Sequence, residues 1–157
     1  MELRFGPRGY LQIDDARITH RNFAGEGSMY NRDGDRNFSV VIPTEEMADA
    51  LTEAGWRVKV KPPREEGGDP FMFLPVKIKF NARGPEIYLE SGRAKMQLDE
   101  DTVHRLDRID IMSVNLDIRP YDWAMPDGKS GRSAYLEGMH VIQRQSRFAA
   151  ILDDEDM

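Results

Sequence analysis

The sequence predicts a mainly β fold with one or two short helices, closed into a small barrel by a long C-terminal hairpin. Two observations at the C-terminal end carry this. Residues 109–120 alternate, with Met112, Val114, Leu116 and Ile118 on one face and Ser113, Asn115, Asp117 and Arg119 on the other. A period of two marks a half-buried strand. Residues 121–132 then supply turn chemistry through Pro126, Gly128 and Gly131, and residues 133–143 run back, which together describe a β-hairpin. A third observation lies upstream, where short apolar runs are broken by Gly, Pro and Asp, as expected of strands that such a hairpin could close into a barrel.

In chain order, residues 10–18 give the first expected strand. Residues 19–36 are rich in Gly, Asn and Asp but also hold Phe23, Met29 and Tyr30 beside Arg21, Arg32 and Arg36. A loop of this length in a compact domain is usually functional or mobile. Rings interleaved with guanidinium groups suit a single-stranded nucleic acid, with π-faces for bases and cations for phosphates; the alternative is that the rings pack beneath the loop. Residues 37–42 form a strand ended by Pro43. Residues 44–55 form the clearest helix: Thr44 can cap it, Glu45 and Glu46 suit its positive end, and Gly55 stops it. Met47, Ala50, Leu51 and Ala54 make its core-facing stripe.

Residues 56–61 alternate again, with Trp56, Val58 and Val60 opposed to Arg57, Lys59 and Lys61. After a Pro- and Gly-rich loop, residues 71–80 set Val76, Ile78 and Phe80 against Lys77 and Lys79. If the two strands share a sheet, their cations form a track for a phosphate backbone. The plainer reading is that lysines on a wet strand face block edge aggregation. Residues 85–90 give a short strand, residues 98–107 a helical turn or two, and Pro120 should fray the hairpin or meet a sheet edge.

A chain of 157 residues suits one domain, residues 1–150, followed by an acidic tail at 151–157 expected to be disordered. The net charge of −6 is weak evidence against nucleic acid. Asp153, Asp154, Glu155 and Asp156 carry most of the excess, so the body is near neutral, and binding follows the local field. No run approaches the roughly 18 apolar residues of a membrane span. The N-terminus lacks a basic-then-apolar signal pattern, so a cytoplasmic protein is expected. The absence of cysteine excludes disulfides, thiolate metal sites and cysteine nucleophiles.

Residues 128–130, Gly-Lys-Ser, lack the earlier glycine of a phosphate loop, since Trp123 stands there, and they lead into a strand. Residues 31–35 resemble the start of a calcium loop, but Arg36 occupies the position that needs glycine. His20, His104 and His140 have no ligand spacing. No nucleophile–base pairing is legible, so neither an enzyme nor a cofactor or metal is expected.

The pattern of residues 117–123, Asp-Ile-Arg-Pro-Tyr-Asp-Trp, followed by residues 128–136, Gly-Lys-Ser-Gly-Arg-Ser-Ala-Tyr-Leu, resembles phage and prophage single-stranded DNA-binding proteins. Residues 36–43 and 70–75 are similar to that group as well. The resemblance spans roughly residues 5–150 and implies an OB barrel, although the helix at 44–54 comes earlier than the usual position between the third and fourth strands. It also implies a role in phage replication or recombination within a bacterial host cell, and it likens the acidic tail to tips that recruit replication or recombination proteins. The tail here ends in Met157 without a terminal aromatic or proline.

The leading expectation is therefore sequence-tolerant binding of single-stranded DNA without catalysis. Arg57, Lys59, Lys61, Lys77, Lys79, Arg119 and Lys129 would meet phosphates. Tyr121, Trp123 and Tyr135 would stack bases, with Phe23 and Tyr30 as loop platforms. The alternative is a phage-derived, anti-CRISPR-like protein that binds and inhibits a host defence nuclease. Cations clustered in one groove favour DNA; scattered cations favour a protein partner. A metal-dependent nuclease built on the Asp pairs would need several converging carboxylates. Oligomeric state stays open, a homodimer through a strand edge being one arrangement the pattern allows.

Overall fold

A computed structural model of the chain describes residues 1–148. Its strands are β1 (Glu2–Phe5), β2 (Leu11–Ala16), β3 (Ile18–Asn22), β4 (Arg36–Val41), β5 (Lys59–Lys61), β6 (Phe71–Ile78), β7 (Glu86–Ser91), β8 (Ala94–Leu98), β9 (Ile111–Ala124) and β10 (Ser130–Gln143). One helix, α1 (Glu45–Glu53), and two 3-10 turns, Pro7–Gly9 and Val103–Asp107, complete the described part. The acidic tail at 151–157 lies outside the described residues.

The sheet runs β1-β2-β9-β10-β6-β4-β3, and β2 and β3 are consecutive, with only Arg17 between them. The path therefore returns to its start and closes a barrel. At the bend Asp15 takes a φ of 53°, the β2–β9 register shifts, and the Arg17 carbonyl accepts the Val41 N–H at 2.8 Å. Counting β2–β3 as one bent strand, the barrel order is that of an OB fold, with β10 antiparallel to β9 and parallel to β6. α1 sits between the second and third barrel strands. The third-to-fourth connection instead carries the β7–β8 hairpin and the Val103–Asp107 turn.

Period-two burial fills the interior. Leu11 and Ile13, Phe38 and Val40, Leu74, Val76 and Ile78, Val114, Leu116 and Ile118, and Leu136 all point inward and are buried. α1 begins where the Thr44 hydroxyl accepts the Met47 N–H at 3.2 Å and ends at Gly55, whose φ of 99° reverses the chain. Its buried residues are Ala48 and Leu51, whereas Ala54 of the expected stripe is exposed.

The structure departs from the expected elements in two places, the hairpin turn and residues 56–61, and settles a third at Pro120. Each strand of the hairpin has 14 residues, so 121–124 and 130–132 belong to the ladder and the turn shrinks to 125–129, where Met125 donates to the Lys129 carbonyl at 2.7 Å. Pro120 lies inside β9, opposite Ala134 and past the last β2 pair at Ile118. Among the described residues one side of β9 is unpaired there, which is the sheet edge expected at this proline. The alternation of 56–61 yields only a three-residue edge strand. Trp56 is buried in the core, while Val60 is 59 % exposed, because among the described residues β5 pairs with β6 alone.

Candidate nucleic-acid interface

Burial of Leu74, Val76 and Ile78 fixes the orientation of β6, so Phe71, Phe73, Pro75 and Lys77 face outward. β5 pairs with this strand, setting Lys59 opposite Phe73 and Lys61 opposite Phe71. On the other edge β4 sets Asn37 opposite Lys77 and Ser39 opposite Pro75. β10 sets Tyr135 beside Lys77, and Tyr135 in turn pairs with Arg119 of β9. The same face of β9 continues through Tyr121, opposite Ser133, to Trp123, opposite Gly131. Lysines from two separate strands and rings from the hairpin thus share one outer surface.

Cations lie over rings along this surface. The Arg119 guanidinium is 4.9 Å and the Lys77 ammonium 6.0 Å from the centre of the Tyr135 ring, and Tyr121 meets that ring edge-on at 6.1 Å. Arg57 lies 5.9 Å from the Trp123 ring and Lys61 5.6 Å from the Phe73 ring. Attraction between a cation and the ring quadrupole holds such side chains across the surface.

Between the sheet and the 23–35 loop the surface deepens into a groove of 540 Å³, lined by Tyr30, Lys59, Lys77, Lys79 and Tyr135, with Asn37 and Ser39 along it and Asp35 on the loop side. The loop wall is tied down by its own backbone. Asn31 Nδ2 donates to the Glu26 and Asp35 carbonyls at 2.9 and 3.0 Å, and the Gly34 N–H reaches the Gly25 carbonyl at 2.8 Å. Gly25 needs its positive φ of 73°, and a Cβ there would press on the Gly34 backbone at 3.0 Å. The Asp107 carboxylate accepts the Phe23 and Ala24 N–H groups at 2.7 and 3.0 Å. Arg21 donates to the Leu106 and Ile109 carbonyls, and Arg36 to the Phe23 carbonyl. Of the loop's arginines, Arg21 and Arg36 therefore hold backbone in place.

The candidate residues divide accordingly. Lys59, Lys77, Lys79, Tyr30 and Tyr135 line one groove. Arg119 and Tyr121 flank it, and Arg57 with Trp123 forms a second cluster farther along the hairpin. Lys129 sits in the hairpin turn, beyond Trp123. The loop separates its two rings: Tyr30 is 94 % exposed, whereas Phe23 is 0 % exposed and stacks on Phe38 at 5.2 Å. Phe23 is corrected from a loop platform to a core residue, because the Asp107 and Arg36 bonds pull its backbone inward. Phe71, Phe73 and His20 were not among the candidates, yet their rings cluster at 5.4–5.9 Å on this side of β6, with Phe73 only 8 % exposed beneath the group. The signal was available: Phe71 and Phe73 have the same parity as Lys77 and Lys79. His20 had none, since its position depends on a φ of 51° at a bulge in the β3–β4 ladder.

Arg132, on the opposite face of β10, anchors the hairpin. It binds both oxygens of Asp122, at 2.6 and 3.1 Å, donates to the Ala54 carbonyl at 2.8 Å and lies over the Trp56 ring at 5.2 Å. The hydrogen bonds from Arg132 hold the Asp122 carboxyl below its ordinary value. Behind Trp123, a Cβ on Gly131 would lie 2.5 Å from the indole and 2.9 Å from the Arg57 guanidinium, so a bare α-carbon is what lets both groups lie flat on β10. Among the described residues no group of three His, Asp or Glu side chains is placed to share a metal ion, and no helix is long and apolar enough to cross a membrane.

Comparison with known proteins places this arrangement in context. A family model described as "Putative phage ssDNA-binding domain" matches residues 4–154. Among solved structures, the chain is similar to the single-stranded DNA-binding protein from bacteriophage Enc34. The form in complex with ssDNA gives a TM-score of 0.55 at 12 % identity, over 91 % of this chain and 91 % of that one. The same phage protein in a second structure gives 0.55 at 9 % identity, over 95 % and 94 %, and its C-terminal truncation 0.54 at 10 %, over 92 % and 97 %. At such identities the likeness is one of fold. No curated protein matches the sequence.

Proposed function

Because the chain belongs to the phage ssDNA-binding domain family, we propose that it binds single-stranded DNA, with little regard to sequence, across the outer face of β4, β6 and β10. The observation that carries this is the groove in which Lys59, Lys77 and Lys79 converge with Tyr30 and Tyr135. The lysines neutralise phosphates while the rings stack bases. Stacking is sequence-tolerant, since every base has a π-face. Arg119, Tyr121, Arg57 and Trp123 extend the same chemistry along the hairpin, and Lys61 extends it past Phe73. The rings already carry cations, so a base and its phosphate find their two partners side by side. No covalent step is involved, and the binding serves phage replication or recombination. Cations gathered around one groove support DNA over the alternative of a protein-binding inhibitor.

The test is a fluorescence titration with an oligothymidine and with duplex DNA at two salt concentrations. Single strands should bind and quench Trp123. With Lys59, Lys77, Lys79 and Arg119 each meeting a phosphate, log K should fall with log salt at a slope of about −3. Failure of the full chain, and of a chain cut before Asp153, to bind single strands at low salt would end the proposal.

A further inference from the structure

We propose that the groove continues past Lys79 into a phosphate subsite built by Lys79, Arg83 and Arg119, in which Glu137 competes with the phosphate for Arg119. The proposal rests on the single-stranded DNA reading above and adds Arg83 and Glu137 to it. A cleft of 390 Å³ lies between the turn after β6 and the β9–β10 hairpin, with Tyr10 on its wall. Lys79 lines both this cleft and the groove, and Arg119 lines the cleft while its guanidinium rests on Tyr135 of the groove. The two cavities are therefore joined at those side chains.

Arg83 faces them from a turn that its own backbone fixes: Asn81 and Gly84 exchange N–H and carbonyl bonds at 2.9 and 3.2 Å, and the Arg83 N–H reaches Asn81 Oδ1 at 2.8 Å. Among the described residues, the side chains of Lys79 and Arg83 form no ion pair. Among the described residues the one carboxylate lining the cleft is Glu137, which lies 3.4 Å from Arg119. Cations in excess over one carboxylate, grouped around a polar cleft, suit a phosphodiester. A phosphate entering here takes Arg119 from Glu137, so the acid opposes binding.

The experiment compares oligothymidines of about 4 and about 16 nucleotides on the full chain, the Arg83→Ala variant and the Glu137→Gln variant. Arg83→Ala should leave the short oligomer unaffected and reduce the salt slope for the long one by about 0.7, the loss of one phosphate contact. Glu137→Gln should tighten the long oligomer, a gain that misfolding cannot imitate. An unchanged slope in Arg83→Ala, or unchanged or weaker binding in Glu137→Gln, overturns the proposal while leaving the groove intact. Inorganic phosphate competing through Arg83 with no effect of the variants on the long oligomer would assign the cleft to a free anion and also overturn it. Absence of any single-strand binding by the unaltered chain is the distinct result that removes the reading beneath it.

Discussion

Tyr135 is where the proposed interface is most exposed to test. Its ring carries Arg119 at 4.9 Å and Lys77 at 6.0 Å, meets Tyr121 edge-on, and lines the groove. Replacement by alanine removes a stacking platform worth about 1–3 kcal/mol per base, which corresponds to a weakening of about 5- to 150-fold. It also releases two cations from a ring, each contact worth about 0.5–1 kcal/mol at an exposed site, so folding stability should fall slightly. Tyr135→Phe keeps the π-face and loses only the hydroxyl, and its affinity should stay close to that of the unaltered chain. Oligothymidine affinity is measured by anisotropy well below the thermal midpoint of each variant, with circular dichroism confirming the fold. If Tyr135→Ala binds as tightly as the unaltered chain, or Tyr135→Phe loses as much as alanine, base stacking at this position is refuted.

Three further outcomes are expected. Gly131→Val should drive the Trp123 indole off β10, changing its fluorescence and weakening single-strand binding while buried Trp56 reports an intact core; an unaltered spectrum would contradict the packing described. Phe23→Ala should cost about 3–5 kcal/mol of stability in a urea titration and leave the affinity of the folded fraction unchanged, whereas a selective loss of binding would return Phe23 to the interface. The depressed carboxyl of Asp122 stabilises the fold above the ordinary carboxylate range, and that contribution is lost as the pH falls through its lowered folded value. The urea midpoints of the unaltered chain and Asp122→Asn should therefore differ near neutral pH and converge in acid; a gap that persists in strong acid would show that the pair contributes by other means.

Much of the barrel was legible because burial on one face leaves a period-two trace. Val114, Leu116 and Ile118 announced β9, and Val76 and Ile78 announced β6, with Lys77 on the opposite side by parity alone. The helix was equally plain, since Thr44, the first-turn acids and Gly55 act within a few residues of one another. Local chemistry of this kind needs no partner strand to be recognised.

Pairing is what the chain order could not supply. That Lys59 would lie beside Phe73, Lys77 beside Tyr135 and Arg119 over the same ring depends on which edges meet, and those edges belong to residues far apart in sequence. The opposite fates of Phe23 and Tyr30 were hidden for the same reason. Both are rings in one polar loop, but Asp107 and Arg36 draw the first into the core and leave the second in solvent. The sequence by itself determined which faces of β6 and β9 meet the core, because hydrophobic burial on a long strand is written in local periodicity. The tertiary structure decided which of those cations and rings became neighbours, because the ladders that gather them are long-range hydrogen bonds.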